Sequence, residues 1–412
     1  MRSASYRRTL AGLPALLIAG ATLPGTASGS DLSSLISDLY GGDGLTLPNP
    51  DHQAHFQATG QEQLLDLNDV VSSGVLFSPF SSAATSIVFD IERGVPVRAK
   101  DSLGPLLLRR ADTIGANRFS FGFSYTRVDY QQFEGDDLND LELDLDHIDC
   151  CSAGTGLPPP DDQIGGGAAE FERDQIRLNL DLDIEQDIFA FYGTYGITND
   201  WDVGAVAPVV RVDASVRSVA EIIDNSGTGD TFHFFLDEGT PDQTGIDSND
   251  GEKTGLGDVI LLSKYRILRE EPAPLDAAVL GQITLPTGDE DDLLGTGETG
   301  FLGLLIGTKD LGRFSLHGNL GYELYTGSVN NSLRYGAGTD VRLFDGVTGV
   351  AEVLGRYEPN GDGTGDLVDG VVGAKWNPIG DLVLSSYFLT PINRDTGLRP
   401  DFIWGLGVEF GF

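Results

Sequence analysis

Ile176-Arg177-Leu178-Asn179-Leu180-Asp181-Leu182-Asp183-Ile184-Glu185-Gln186 alternates, residue by residue, between apolar and polar side chains. Successive side chains of a strand point to opposite faces, so Ile176, Leu178, Leu180, Leu182 and Ile184 share one face, and Arg177, Asn179, Asp181, Asp183 and Glu185 the other. A helix would scatter both sets around its circumference. The same period of two runs through Phe119, Phe121, Phe123 and Tyr125, through Phe314, Leu316, Leu320, Tyr322 and Leu324, and through Leu333, Tyr335, Ala337, Val341 and Leu343. Each has a polar or glycine-bearing opposite face.

These stretches commonly run to about ten residues or more, whereas strands of soluble sheets average about five or six. A tilted strand of about 9 to 11 residues crosses the hydrocarbon core of a bilayer. Period and length together predict strands near 117–132, 176–198, 201–219, 257–269, 275–287, 299–309, 313–326, 331–344, 347–358, 366–377, 381–392 and 401–412. The first connections alternate between long and short: 133–175 then Asn199-Asp200, 220–256 then Glu270 to Pro274, 288–298 then Asp310 to Gly312. Bacterial outer-membrane barrels show this segregation, with long loops outside the cell and short turns in the periplasm. The expected fold is therefore all-β: a transmembrane antiparallel β-barrel of about 12 strands over 117–412, in the outer membrane of a Gram-negative cell with lipid as its solvent. Aromatics near strand ends (Tyr130, Tyr195, Trp201, Tyr265, Tyr325, Tyr357, Trp376, Tyr387 and Trp404) suit interface belts, as they would a soluble core.

The ends of the chain fit that reading. Arg2, Arg7 and Arg8 precede an apolar run from Leu10 to Leu23 and the small residues Thr26 to Gly29, so 1–29 is expected to be a signal peptide. In the last strand Trp404, Leu406, Val408, Phe410 and Phe412 share one face with Phe402, opposite Gly405, Gly407, Glu409 and Gly411. This resembles the terminal assembly signal read by the barrel assembly machinery. Residues 30–116 hold a helix-like stretch from Leu32 to Tyr40, a polar run, a hairpin-like piece (Ile87 to Asp90, Val95 to Arg98), and Leu106, Leu107 and Leu108 beside Arg109 and Arg110. Too polar for lipid, the segment is expected to be a periplasmic or lumenal plug, with a flexible tail as the alternative.

Composition narrows the function. Lys+Arg number 26 against Asp+Glu 63, a net charge of −37, which excludes binding to nucleic-acid phosphates. The histidines are His52, His55, His147, His233 and His317, none with a serine two residues on, so no nucleophile and base are paired and no catalytic residue or cofactor is assigned. Acidic runs at 134–149, Asp289 to Asp292 and Asp247 to Glu252 offer oxygens suited to calcium and are equally explained by solvation, so the metal question stays open. Cys150 and Cys151 adjoin, either as a vicinal disulfide or as two thiols.

Phe119 to Tyr130, Tyr195 to Pro208, Gly255-Leu256-Gly257-Asp258-Val259 with Lys264-Tyr265-Arg266, and Leu285-Pro286-Thr287-Gly288-Asp289-Glu290 together resemble the bacterial outer-membrane proteins called the meta-pathway of phenol degradation family. That family is similar in turn to the long-chain fatty acid transport porins. The resemblance covers about residues 75–412 and implies a barrel passing small hydrophobic or aromatic solutes. A non-transporting structural or surface-recognition barrel is the second reading.

With apolar faces against lipid, the lumen is expected to receive Asp181, Asp183, Arg211, Arg217, Gln282, His317, Glu323, Arg334, Asp340, Arg342, Glu352, Arg356, Lys375 and Glu409. Both signs are present, so a salt-bridged interior and an open aqueous path both remain.

Overall fold

The computed structural model describes residues 31–36, 38–39, 87–90, 95–98, 102–146, 174–225, 233–237, 240–270, 273–327, 329–359, 366–379 and 382–411. The segment 1–29, most of 30–101, Cys150, Cys151 and Phe412 lie outside the described residues.

Among these, twelve antiparallel strands close a barrel. They are β1 Arg118–Phe133, β2 Gln175–Gly196, β3 Trp201–Ile223, β4 Val259–Leu268, β5 Asp276–Leu285, β6 Gly300–Asp310, β7 Phe314–Tyr325, β8 Ser332–Phe344, β9 Val347–Tyr357, β10 Asp366–Ile379, β11 Leu382–Pro391 and β12 Leu398–Gly411. Each pairs with the next, and β12 returns to β1 through pairs such as Leu406↔Tyr125 and Val408↔Phe123. Closure gives every strand a neighbour on both sides, the condition for backbone to lie in lipid without unpaired N–H and C=O groups.

The outer wall is apolar. Phe119, Phe121 and Phe123 on β1, Leu261 and Tyr265 on β4, Phe301 and Leu305 on β6, Leu316 and Leu320 on β7, and Phe402 and Leu406 on β12 are all exposed. A soluble protein rarely exposes so large a contiguous apolar surface. Here it meets hydrocarbon, which makes this an outer-membrane barrel.

Strand β2 marks where the lipid ends. Its even-numbered residues face inward along the whole strand, from Ile176 through Ile188 to Tyr192. Its outward odd-numbered residues change character midway: Asp181, Asp183, Glu185 and Asp187 give way to Phe189, Phe191 and Tyr195. The partner rows change at the same level. Phe189 sits beside Val209 and Tyr125, whereas Asp187 sits beside Arg211 and Arg127. Ion pairs run around this rim: Arg127–Glu185 at 2.5 Å, Arg211–Asp187 at 3.7 Å and Arg211–Glu252 at 2.9 Å. Tyr125 completes it with a hydroxyl that donates to Asp187 at 2.6 Å.

Above that rim the strands continue as a sheet in water. The two longest predicted connections carry strands of their own: Leu141–Asp146 pairs with 175–180 of β2, and Thr244–Leu256 pairs with 209–221 of β3. With water outside, the apolar face turns in. Leu178, Leu180, Leu182, Val212 and Val216 form a core with Leu138, Leu141 and Leu145, capped by Leu32 of a short helical turn, Leu32–Ser34, and by Leu35, Ile36 and Leu39 after it. On the outer side of this sheet, exposed Asp183 stands near Glu185, Asp129, Asp213 and Asp181, and partial desolvation followed by that crowding raises its carboxyl above the usual range.

Of the expected belt aromatics, Trp201, Tyr265, Tyr357 and Trp376 are exposed at strand ends. Tyr130 and Tyr387 instead point inward and are buried, Tyr387 sharing a hydrogen bond with Thr126 at 2.8 Å. Their strand parity, matching Val128 and Leu389, puts them on the inner face.

Candidate functional site

Residues 102–114 cross the inside of the barrel as a strap held by side chains of the wall. Ser102 donates to Asp340, and Leu103 N–H to Thr348 Oγ1 at 3.1 Å. Leu106, Leu107 and Leu108 give their N–H groups to the Glu352 carboxylate at 2.6, 3.0 and 3.3 Å. Asn319 clamps Arg109 on both sides, accepting from its N–H at 2.7 Å and donating to its C=O at 2.8 Å. Ala111 N–H bonds Thr308 Oγ1 at 3.0 Å, Lys264 donates to the Asp112 carbonyl, and Ile114 N–H bonds Asp202 at 3.1 Å. An extended segment without a strand partner must find acceptors elsewhere, and the polar inner wall supplies them. Small residues give it room: a Cβ on Gly373 would stand 2.7 Å from a Leu106 methyl, and one on Gly338 would stand 2.9 Å from Leu108.

The inner wall also receives most of the expected lumenal residues. His317 lies between Thr308, at 3.2 Å, and Asp340. Glu323 pairs with Arg334 at 2.6 Å, and Arg356 with Glu358 at 2.5 Å. Lys375 and Glu409 are buried, the latter accepting from Ser120 at 3.3 Å. Gln282 lines the cavity described below, and Arg342 is half-buried in register with Thr348. Four residues stand elsewhere, which corrects the expectation. Asp181, Asp183, Arg211 and Arg217 point outward from the sheet above the membrane, opposite buried Leu182, Ile184, Val212 and Val216. The outer medium there is water, so the polar face is outside.

Between strap and wall lies a cavity of ≈ 340 Å³. Leu107, Leu108 and Arg109 of the strap form one side. The barrel contributes aliphatic groups, among them Ile188, Val210, Ile260, Leu302, Leu304 and Leu354, and Leu293 and Leu294 come from the connection 288–298. Asp258 folds that connection inward: Oδ1 accepts from the N–H groups of Thr287 at 3.1 Å and Gly288 at 3.0 Å, and Oδ2 from the N–H and hydroxyl of Thr296, both at 2.8 Å. Thr287 returns a bond to the Gly257 carbonyl at 2.8 Å. Gly255 to Val259 and Leu285 to Glu290, two of the stretches carrying the family resemblance, are thus one interlocked unit holding two leucines over the cavity.

Both described histidines pair with carboxylates. His233 binds Asp174 at 2.7 Å in the protruding sheet, and the Ser102 hydroxyl beside His317 donates to Asp340 instead of to the imidazole. Among the described residues no group of three or more His, Cys, Asp or Glu is arranged to hold a metal ion. The acidic runs are partly engaged, Asp292 with Lys253 at 2.5 Å and Glu252 with Arg211.

Residues 160–343 match the family described as putative MetA-pathway of phenol degradation, in agreement with the resemblance read from the motifs. No curated protein matches the chain in sequence. Among solved structures, an outer-membrane channel from Pseudomonas putida F1 is similar at 12% identity and a TM-score of 0.41, covering 73% of this chain and 98% of that one. A Pseudomonas aeruginosa FadL homologue is similar at 10% identity and 0.32, covering 71% and 90%. The toluene transporter TbuX of Ralstonia pickettii gives 11% identity and 0.35, covering 73% and 90%. Likenesses this distant add nothing to the barrel that the strand register defines.

Proposed function

We propose that this outer-membrane barrel is a passive channel for small hydrophobic or aromatic molecules, with the segment 30–116 acting as its plug. The observation carrying this reading is the cavity: the lumen of a general porin is polar and water-filled, whereas here aliphatic side chains line much of a hollow between strap and wall. At ≈ 340 Å³ it exceeds the roughly 150 Å³ that admits benzene to an engineered apolar cavity. The family description, naming a pathway of phenol degradation, fits such a cargo.

Expression in a Gram-negative strain deprived of its own hydrophobic-solute channels is expected to speed uptake of a radiolabelled monoaromatic several-fold. Unchanged uptake, with electrically silent insertion into planar bilayers, would leave a structural or surface-recognition barrel as the better account.

A further inference from the structure

Most polar groups around the cavity already have partners. Asp258 accepts four hydrogen bonds from its own connection, Asn319 is engaged by Arg109, and Glu323 and Arg334 neutralise one another. Gln186 differs. It stands on the inward face of β2, two residues before Ile188, lines the cavity, and is only 4% exposed. Its Oε1 is buried and has no hydrogen-bond partner among the described residues. Its strand neighbours in register are Val128 and Val212, both buried and apolar, so the wall beside it offers no side-chain donor.

A buried amide oxygen left unpaired is costly, and native interiors seldom tolerate one without a reason. A pocket with several aliphatic walls and a buried, unpaired amide oxygen at Gln186 is complementary to a largely apolar molecule that carries a hydrogen-bonding group. We propose that Gln186 is a specificity-determining residue that selects uncharged solutes bearing a hydroxyl over hydrocarbons of the same shape. This inference rests on the channel reading above and names the class of solute within it. A hydroxyl suits the position because it both donates and accepts. It therefore satisfies the amide in either orientation of its last torsion. A pure hydrocarbon would fill the same space and leave the amide unpaired, and sites with an unpaired polar group reject such analogues strongly.

The test compares two molecules with the same number of heavy atoms, cyclohexylmethanol and ethylcyclohexane, by calorimetric titration of the full-length protein in detergent, with empty micelles subtracted. The native protein is expected to bind the alcohol roughly tenfold to a hundredfold more tightly than the hydrocarbon, the range a single buried hydrogen bond supplies. In Gln186→Leu the preference should collapse while hydrocarbon binding is kept or improved. Gln186→Met is a second variant, matched in length and flexibility, should leucine disturb folding. Equal affinity for both molecules in the native protein, or a preference that survives both substitutions, overturns the role of Gln186 and leaves the channel reading intact. Failure of the native protein to bind either molecule overturns both.

Discussion

Glu352→Ala is expected to release the lumenal strap, seen as larger and more frequent openings in single-channel recordings. One carboxylate on β9 accepts the N–H groups of Leu106, Leu107 and Leu108. Alanine supplies no acceptor, and each buried donor left unmade costs about 1–3 kcal/mol. Lys375, which faces the same carboxylate, would also lose a counter-charge. The sum is several kcal/mol, and a shift of about 5.5 kcal/mol is enough to carry a two-state element from 1:99 to 99:1. Gln at position 352 retains one acceptor oxygen and should give an intermediate effect. A cysteine placed at Leu107, with Cys150 and Cys151 replaced, should react faster with a water-soluble thiol reagent once Glu352 is gone. Unchanged conductance together with unchanged labelling would mean that the strap is not held by this carboxylate.

The second large effect concerns the outer wall. Leu305 lies at the centre of β6, 52% exposed, on the face it shares with Phe301. If hydrocarbon surrounds it, Leu305→Arg should destabilise the barrel by about 2–4 kcal/mol, the range for a cation near the midplane. Leu311 is also exposed but sits at the turn after β6, where the same substitution should cost only about 0–1 kcal/mol. Denaturant unfolding from lipid vesicles reads both values. The depth dependence is the discriminating feature: equal, small losses at the two positions would place Leu305 in water.

Much of the barrel was legible because lipid imposes a period and a length that few other environments impose. All twelve strands lie where alternation puts them, and Phe402, Leu406 and Phe410 do share the face opposite Gly405, Gly407 and Glu409. Alternation distinguishes two faces, however, without saying which one is inside. From Ile176 to Gln186 the period is the same whether the leucines meet lipid or a protein core, so Asp181 and Asp183 were expected in the lumen and stand outside it. The decisive signal lies a few residues further along the strand: at constant parity, charged Asp183, Glu185 and Asp187 give way to Phe189 and Phe191, a change of outer solvent. The strand Thr244–Leu256 is not legible in the sequence for another reason. Its sequence, Thr-Gly-Ile-Asp-Ser-Asn-Asp-Gly-Glu-Lys-Thr-Gly-Leu, has almost no apolar face, and it is held through its backbone register with β3. The cavity is not legible either, since its walls come from the strap, eight strands and an inward connection whose proximity no local pattern encodes.

The account stands on the claim that the outer apolar face touches lipid and that the lipid ends between Asp187 and Phe189. Spin labels on single cysteines at positions 181, 183, 185, 187, 189 and 191, in protein lacking Cys150 and Cys151 and reconstituted in lipid, test it directly. Collision rates with oxygen should rise, and those with a water-soluble nickel chelate fall, in a step between 187 and 189. If positions 189 and 191 prove as open to the nickel chelate as 183, the aromatic face lies in water and the membrane barrel described here is wrong.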